Sequence, residues 1–344
     1  MFKHFGICLT CRTPTPDIVR DARIADDCGL GSIWVNESSY YRAAVSTMMA
    51  IAANTRQVQV GTGVASVFSR HPAALAMEAA TIDEFSDRRF VLGIGATPFT
   101  PRETGPSRVS PVRAMRECTE IVRGLLARKL VDYQGEVFTM VESDHHSEWK
   151  TSLNFIPPRV ELPIYFGVGG PKLLELAGRL ADGVILTNPC TLRYLEHALV
   201  HVRRGAEAAG RSLSELTICG FQTFAVAERT EQAKEAVKEM LAAYVAHVGG
   251  KHGEALGISE QEFRSFDDAL HKQGVKAAVK LVTDELIERL AITGTPEECV
   301  RKLTPFIRAG LNVPIAFHTP GPDRRRAFEL IGREIVPALQ KIVV

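Results

Sequence analysis

The feature that most constrains this chain is its rhythm. Short runs of β-branched and apolar residues alternate with longer amphipathic segments almost from end to end. Such alternation builds repeated βα units and a parallel sheet. The first unit reads as a strand over residues 5–9 and a helix over 16–28, where Ile18, Val19, Ala22 and Ala25 recur at helical spacing and Gly29 and Gly31 mark the stop. Further strands are predicted at 32–35, 58–62, 90–94, 163–167, 183–186, 216–227 and 313–317, giving eight in all. Eight strands with helices between them fit an α/β fold of the (β/α)8 TIM barrel type, which leaves no open sheet edge. A doubly wound open sheet is the alternative. Its dinucleotide fingerprint is incomplete here, because Gly93-Ile94-Gly95 lacks the third glycine and Pro98 and Pro101 oppose an immediate helix.

Two stretches break the rhythm, 131–158 and 245–290, and both are expected to be insertions over the C-terminal mouth of one barrel domain spanning 1–344. The first holds Tyr133 to Phe138, which reads as a hairpin, and a polar run from Glu142 to Lys150. The last segment, from Asp323 to Ile342, is amphipathic and is expected to pack outside the barrel.

Charge narrows the partners. The 41 basic and 40 acidic residues are interspersed and leave a net charge of +1, so nothing marks a nucleic-acid or anionic-membrane surface. A small-molecule substrate is the expected partner. Seven cysteines, including the Cys8/Cys11 pair, read as reduced thiols. With no signal-peptide pattern and no apolar run of membrane-spanning length, a cytoplasmic location is expected.

Four segments could carry chemistry. Gly167-Val168-Gly169-Gly170-Pro171-Lys172 carries a strand through small residues straight into a helix, a turn suited to a phosphate at the helix N-terminus or to a tight turn with no ligand. Gly61-Thr62-Gly63-Val64 leaves small residues at the end of the third strand, as an ordinary turn or an unusual backbone. Asn36-Glu37-Ser38-Ser39-Tyr40-Tyr41 stands where barrels keep catalytic groups. Arg70-His71 offers a hydrogen-bond donor or a helix cap. His145-His146 with Asp144 and Glu148 lacks metal-ligand spacing, so no metal is expected.

Taken together, Gly61 to Val64 with Arg70-His71-Pro72, Phe90 to Gly95, Leu162 to Gly178, Asp182-Gly183-Val184-Ile185 and Thr293 to Glu298 resemble the bacterial luciferase-like monooxygenase superfamily. The resemblance is strongest to its deazaflavin-dependent branch, similar to methylenetetrahydromethanopterin reductase. It implies a barrel with a non-prolyl cis peptide at Gly63–Val64 that props the coenzyme ring, and a coenzyme phosphate at Gly169, Gly170 and Pro171. It also implies a ring near Asn36, Gly63, Val64 and Gly95, with Gly167 and Val168 in the same wall.

Two positions depart from that pattern, because Cys8 and Glu37-Ser38 stand where deazaflavin-dependent relatives often carry a glutamate and an Asp-His pair. The expected function is hydride transfer between coenzyme F420, a deazaflavin, and an organic substrate, with Glu37 and His71 as candidates for proton transfer. The alternatives are an FMN-dependent monooxygenase fed by a separate flavin reductase, and a noncatalytic coenzyme-binding barrel. A homodimer is expected from the resemblance, with small residues at Ala43-Ala44 and Ala73 to Met77 permitting close packing.

Overall fold

A computed structural model describes residues 1–38, 40–96, 109–141, 150–248 and 250–342. Eight parallel strands close into a barrel: β1 (Gly6–Thr10), β2 (Ser32–Asn36), β3 (Gln59–Thr62), β4 (Phe90–Gly95), β5 (Ile164–Gly167), β6 (Gly183–Leu186), β7 (Thr217–Val226) and β8 (Val313–Phe317). Each pairs with the next, and the pairing Ile7↔Ala316 brings β8 back to β1. The predicted strands match these within about two residues, the usual scatter of element ends.

Strand periodicity sends side chains to two separate cores. Outward residues of the strands pack under the helices, while Cys8, Trp34, Val91, Tyr165, Ile185 and Phe221 are among those meeting inside the barrel. Trp34 is the largest fully buried side chain. Its indole Nε1 donates to Ser32 Oγ at 2.9 Å, and its ring stacks on Tyr165 with centroids 5.9 Å apart. The neighbouring position on β3 is Gly61, and a Cβ there would lie 2.6 Å from the indole Cζ3. A large ring on one strand and no side chain on the next thus fill one layer of the interior.

The helices follow from local signals. In α1 (Thr15–Asp27), Ile18, Ala22 and Ala25 are buried at the predicted spacing, and Gly29 follows with φ +80°. Next come α2 (Ala44–Ala52) and α3 (Pro72–Phe85), whose Pro72 occupies the first helical turn. After α4 (Pro111–Leu126) the chain leaves the barrel rhythm, as expected, and residues 133–134 pair antiparallel with 139–140 in the predicted hairpin. Buried Glu117 of α4 accepts the backbone N–H groups of Glu136, Val137 and Phe138 at 2.9–3.1 Å and clamps that hairpin. Arg159 anchors the returning chain with two hydrogen bonds to the buried Asp83 carboxylate. The barrel then resumes with α5 (Pro171–Leu180), α6 (Leu192–Ala208) and α7 (Thr230–Val245).

Beyond α7, helices at Glu260–Gln273, Val275–Val279 and Asp284–Leu290 occupy the stretch where the barrel rhythm breaks. It ends in a strand the sequence reading lacks, Ala291–Gly294, which pairs with Thr223–Val226 of β7 beyond the part of β7 bonded to β6 and β8. Four residues flanked by helices on both sides carry too little periodicity to separate strand from helix. Helix Pro296–Ala309 leads to β8, and the C-terminal segment packs Phe328, Ile331, Ile335 and Leu339 against the barrel's outer layer. The pair His145-His146, with Asp144 and Glu148, lies outside the described residues. Among the described residues no group of three or more metal-ligating side chains gathers, and no helix is long and apolar enough to cross a membrane.

Gly61→Ala is expected to lower unfolding stability by about 1–3 kcal/mol, because the added methyl overpacks the Trp34 ring. Denaturant unfolding with tryptophan fluorescence measures it, and the wild-type value would show that the interior layer yields freely.

Candidate active site

A cavity of about 370 Å³ opens at the C-terminal ends of the strands. Its wall runs from Asn36 and Glu37 after β2, through Gly63 and Val64 after β3 and Gly167 to Gly170 after β5, to Thr187 and Asn188 after β6. Phe221, Tyr244 and Phe317 complete it. A wider outer cavity of about 680 Å³ shares Asn36, Tyr244 and Phe317 with it and adds Arg12, Ser38, Glu239, His318 and Arg324.

The Gly63–Val64 peptide bond is cis, as the resemblance implied. Val64 extends over the ends of β4 and β5, where its two methyl groups occupy the spaces that side chains at Gly95 and Gly167 would fill. Gly95 is therefore the seat beneath Val64 and not part of the cavity wall. Gly63 faces Trp34 and Phe221, whose nearest atoms would lie 3.1–3.2 Å from a Cβ there.

After β5, Gly170 caps α5 with no side-chain hydrogen bond, and a Cβ on it would meet nothing within 4 Å. Small residues and the unsatisfied N-terminal turn of a ten-residue helix thus face the cavity. Pro171 supplies the first helical position but is exposed and off the wall.

Glu37 reaches the cavity, but both its oxygens are engaged. Arg70 donates to them at 2.8 and 2.9 Å, and the Ser66 N–H at 3.0 Å. Burial alone would raise its pKa, yet these donors hold it below the usual carboxylate range. Glu78 lies 3.5 Å from Arg70 Nε on the other side. The geometry makes Glu37 an anchor for the chain leaving β3, where the sequence suggested a proton-transfer group.

His71 departs further from expectation. Its Nδ1 accepts from the Ala73 N–H at 3.2 Å, capping α3, and Nε2 donates to the Thr139 carbonyl at 3.3 Å. It is exposed and lines neither cavity. The helix-cap alternative describes it, because the proline after it starts the helix one residue on.

Cys8 is buried in the barrel interior, and burial pushes its thiol well above its ordinary range. Ser38 accepts from Asn36 Nδ2 at 3.2 Å, and Asn36 Oδ1 accepts from the Cys11 N–H at 3.4 Å, which ties β1 to β2 at the mouth. Tyr41 is exposed beneath the Arg12 guanidinium, 5.1 Å from the ring centroid.

Sequence reasoning missed Thr187, Asn188, Phe221, Tyr244 and Phe317. Phe221, midway along β7, and Phe317, at the end of β8, follow from strand alternation. Tyr244 comes from α7, where no motif marked it, and its hydroxyl lies 3.2 Å from Thr187 Oγ1. Asn188 precedes a cis proline, Pro189, and carried no motif.

The fold and this cavity define a (β/α)8-barrel protein with a cavity of small-molecule size at the strand C-termini. Residues 4–312 match the luciferase-like monooxygenase family, and the chain belongs to it. It is 32% identical to 5,10-methylenetetrahydromethanopterin reductase of Archaeoglobus fulgidus over 92% of this chain and 94% of that protein. It is 26% identical to an F420-dependent glucose-6-phosphate dehydrogenase of Amycolatopsis mediterranei, over 95% of each. Among solved structures, the coenzyme F420-dependent tetrahydromethanopterin reductase of Methanopyrus kandleri superposes with a TM-score of 0.89 at 26% identity, covering 98% of this chain and all of that one.

Glu37→Gln is expected to destabilise the protein by about 3 kcal/mol near neutral pH, since it removes one charge of a largely buried pair. A lowered folded-state pKa means that the wild-type contribution is complete above the unfolded value of about 4.3 and fades as pH falls through the folded value. Thermal unfolding from pH 7 to 3 should show the two proteins converging at the acid end; parallel curves would refute the assignment.

Proposed function

We propose that this chain, as a single barrel unit, is a deazaflavin-dependent oxidoreductase that uses coenzyme F420 to move a hydride to or from a small organic substrate. The observation that carries this reading is the inner cavity, bounded by the Val64 ridge on one side and the Gly167–Gly170 turn on the other. The residues fit the group. Val64 offers a convex apolar surface against a planar ring, and the turn before α5 offers backbone donors and a helix N-terminus to a phosphate. The relatives agree in direction: coenzyme F420 is named with tetrahydromethanopterin in the solved reductase and with glucose-6-phosphate in the dehydrogenase. Coenzyme chemistry therefore carries over more readily than substrate.

When bound, the coenzyme supplies the two-electron chemistry through its ring carbon C5. The chain's own residues do the positioning. Val64 and Gly63 support one face of the ring, and Asn36 and Phe317 border the opening through which the outer cavity meets it. Glu37, held ionised by Arg70, fixes the segment carrying Val64 and leaves no proton to donate at neutral pH. The outer cavity receives the substrate; its charged lining is Arg12, Glu239 and Arg324, the last paired with Asp21 at 3.1 Å.

A noncatalytic barrel is disfavoured because the relatives that match over nearly the whole chain are named as a reductase and a dehydrogenase. The same reading includes a homodimer through α2 and α3, where Met77 and Phe85 of α3 stand exposed.

Absorbance titration of the purified protein should show saturable binding of coenzyme F420 and much weaker binding of FMN. Tight FMN binding without F420 binding, with oxygen uptake that needs reduced flavin, would instead establish the monooxygenase alternative. With an identified substrate, His71→Ala should leave turnover near wild type while costing about 1 kcal/mol of stability through loss of the helix cap; a collapse in turnover with unchanged stability would return His71 to the chemistry.

A further inference from the structure

Asn188 is the one buried polar side chain of the inner cavity with an unused donor among the described residues. It is only 2% exposed and lies in the wall contributed by the end of β6. Its Oδ1 accepts from Thr223 Oγ1 at 3.0 Å, which orients the amide, and its Nδ2 has no hydrogen-bond partner among the described residues. Nearby polar groups are already occupied: the Thr187 hydroxyl is paired with Tyr244, and Glu37 with Arg70. A buried amide N–H₂ is costly to leave unpaired, so its natural partner is an oxygen of the molecule filling the cavity.

We propose that Asn188 is a coenzyme-recognition residue whose Nδ2 donates a hydrogen bond to an acceptor oxygen of the bound deazaflavin. The proposal deepens the reading of the preceding subsection and rests on it. Placement selects coenzyme over substrate. Asn188 lines the inner cavity with Val64 and the Gly167–Gly170 turn, and it is absent from the wall of the outer cavity. Strand pairing supports the assignment, because Gly167↔Ile185 sets the end of β6 beside the glycine turn, so one ligand can touch both. Thr223 acts through Asn188 as a positioning residue: its hydroxyl holds Oδ1 and so aims Nδ2.

Asn188→Asp separates this role from a structural one. The variant keeps an oxygen for the Thr223 hydroxyl but replaces the donor with an anionic acceptor. Fluorescence or absorbance titration of the folded variant with coenzyme F420 should show affinity at least about tenfold weaker. Asn188→Ser, which is smaller and removes the amide, is the second variant should the first fail to fold, and it should also weaken binding. Thr223→Val should give a smaller loss, since it frees the amide to turn without removing it.

Wild-type affinity in Asn188→Asp or in Asn188→Ser would overturn the proposal. Failure of the wild-type protein to bind F420 would instead defeat the deazaflavin reading, and repeating the titrations with FMN would then decide whether Asn188 recognises that coenzyme.

Discussion

The geometry of the mouth depends on one packing event, the seating of Val64 across the ends of β4 and β5. Two of its neighbours, Gly95 and Gly167, have no side chains, and the valine methyls take the vacated volume. Close packing leaves no room for both arrangements, so the ridge and the glycines are a single unit. Electrostatics secure it from behind. Arg70 and the Ser66 N–H converge on Glu37, joining the segment that follows β3 to the end of β2. An apolar wedge held by an ion pair is stiff, and stiffness at the mouth is what lets a barrel present a fixed surface to a planar ligand.

Below that ridge the interior is apolar and tightly filled, with Trp34, Tyr165 and Phe221 as its bulk. Above it the lining turns polar, with Asn36, Thr187, Asn188 and Tyr244. The change happens within about one turn of side chains. The floor therefore excludes water beneath a bound ring, while hydrogen-bonding groups stay at its edges, the division expected of a site that orients a cofactor and leaves the electron chemistry to it.

Much of this was legible in the sequence, for identifiable reasons. The eight strands were visible because most are short runs of apolar and β-branched residues followed by a helical repeat, and a parallel barrel demands no more. The glycine turn before Pro171 and the Gly63–Val64 step were visible because glycine at a strand end has few structural purposes. What was hidden depends on three-dimensional partners. Nothing local says that Glu37 would meet an arginine 33 positions away, or that His71 would turn toward the hairpin carbonyl at Thr139. Asn188 acquires meaning only through Thr223, 35 residues on. Strand Ala291–Gly294 exists because β7 is long enough to offer it an edge, a fact invisible within four residues.

The length of β7 has an evolutionary consequence. Its first half belongs to the barrel, bonded to β6 and β8, while Thr223 to Val226 carries a separate ladder from which the helices of 230–290 hang. That stretch contributes Glu239 and His247 to the outer cavity and Tyr244 to both cavities, yet it shares no barrel hydrogen-bond ladder. Mutations at Glu239 or His247 can reshape what approaches the ring while the strands beneath remain in register. A lineage built on this plan can change its menu of substrates by drift in one appendage, provided that Tyr244, which also borders the inner cavity, is kept.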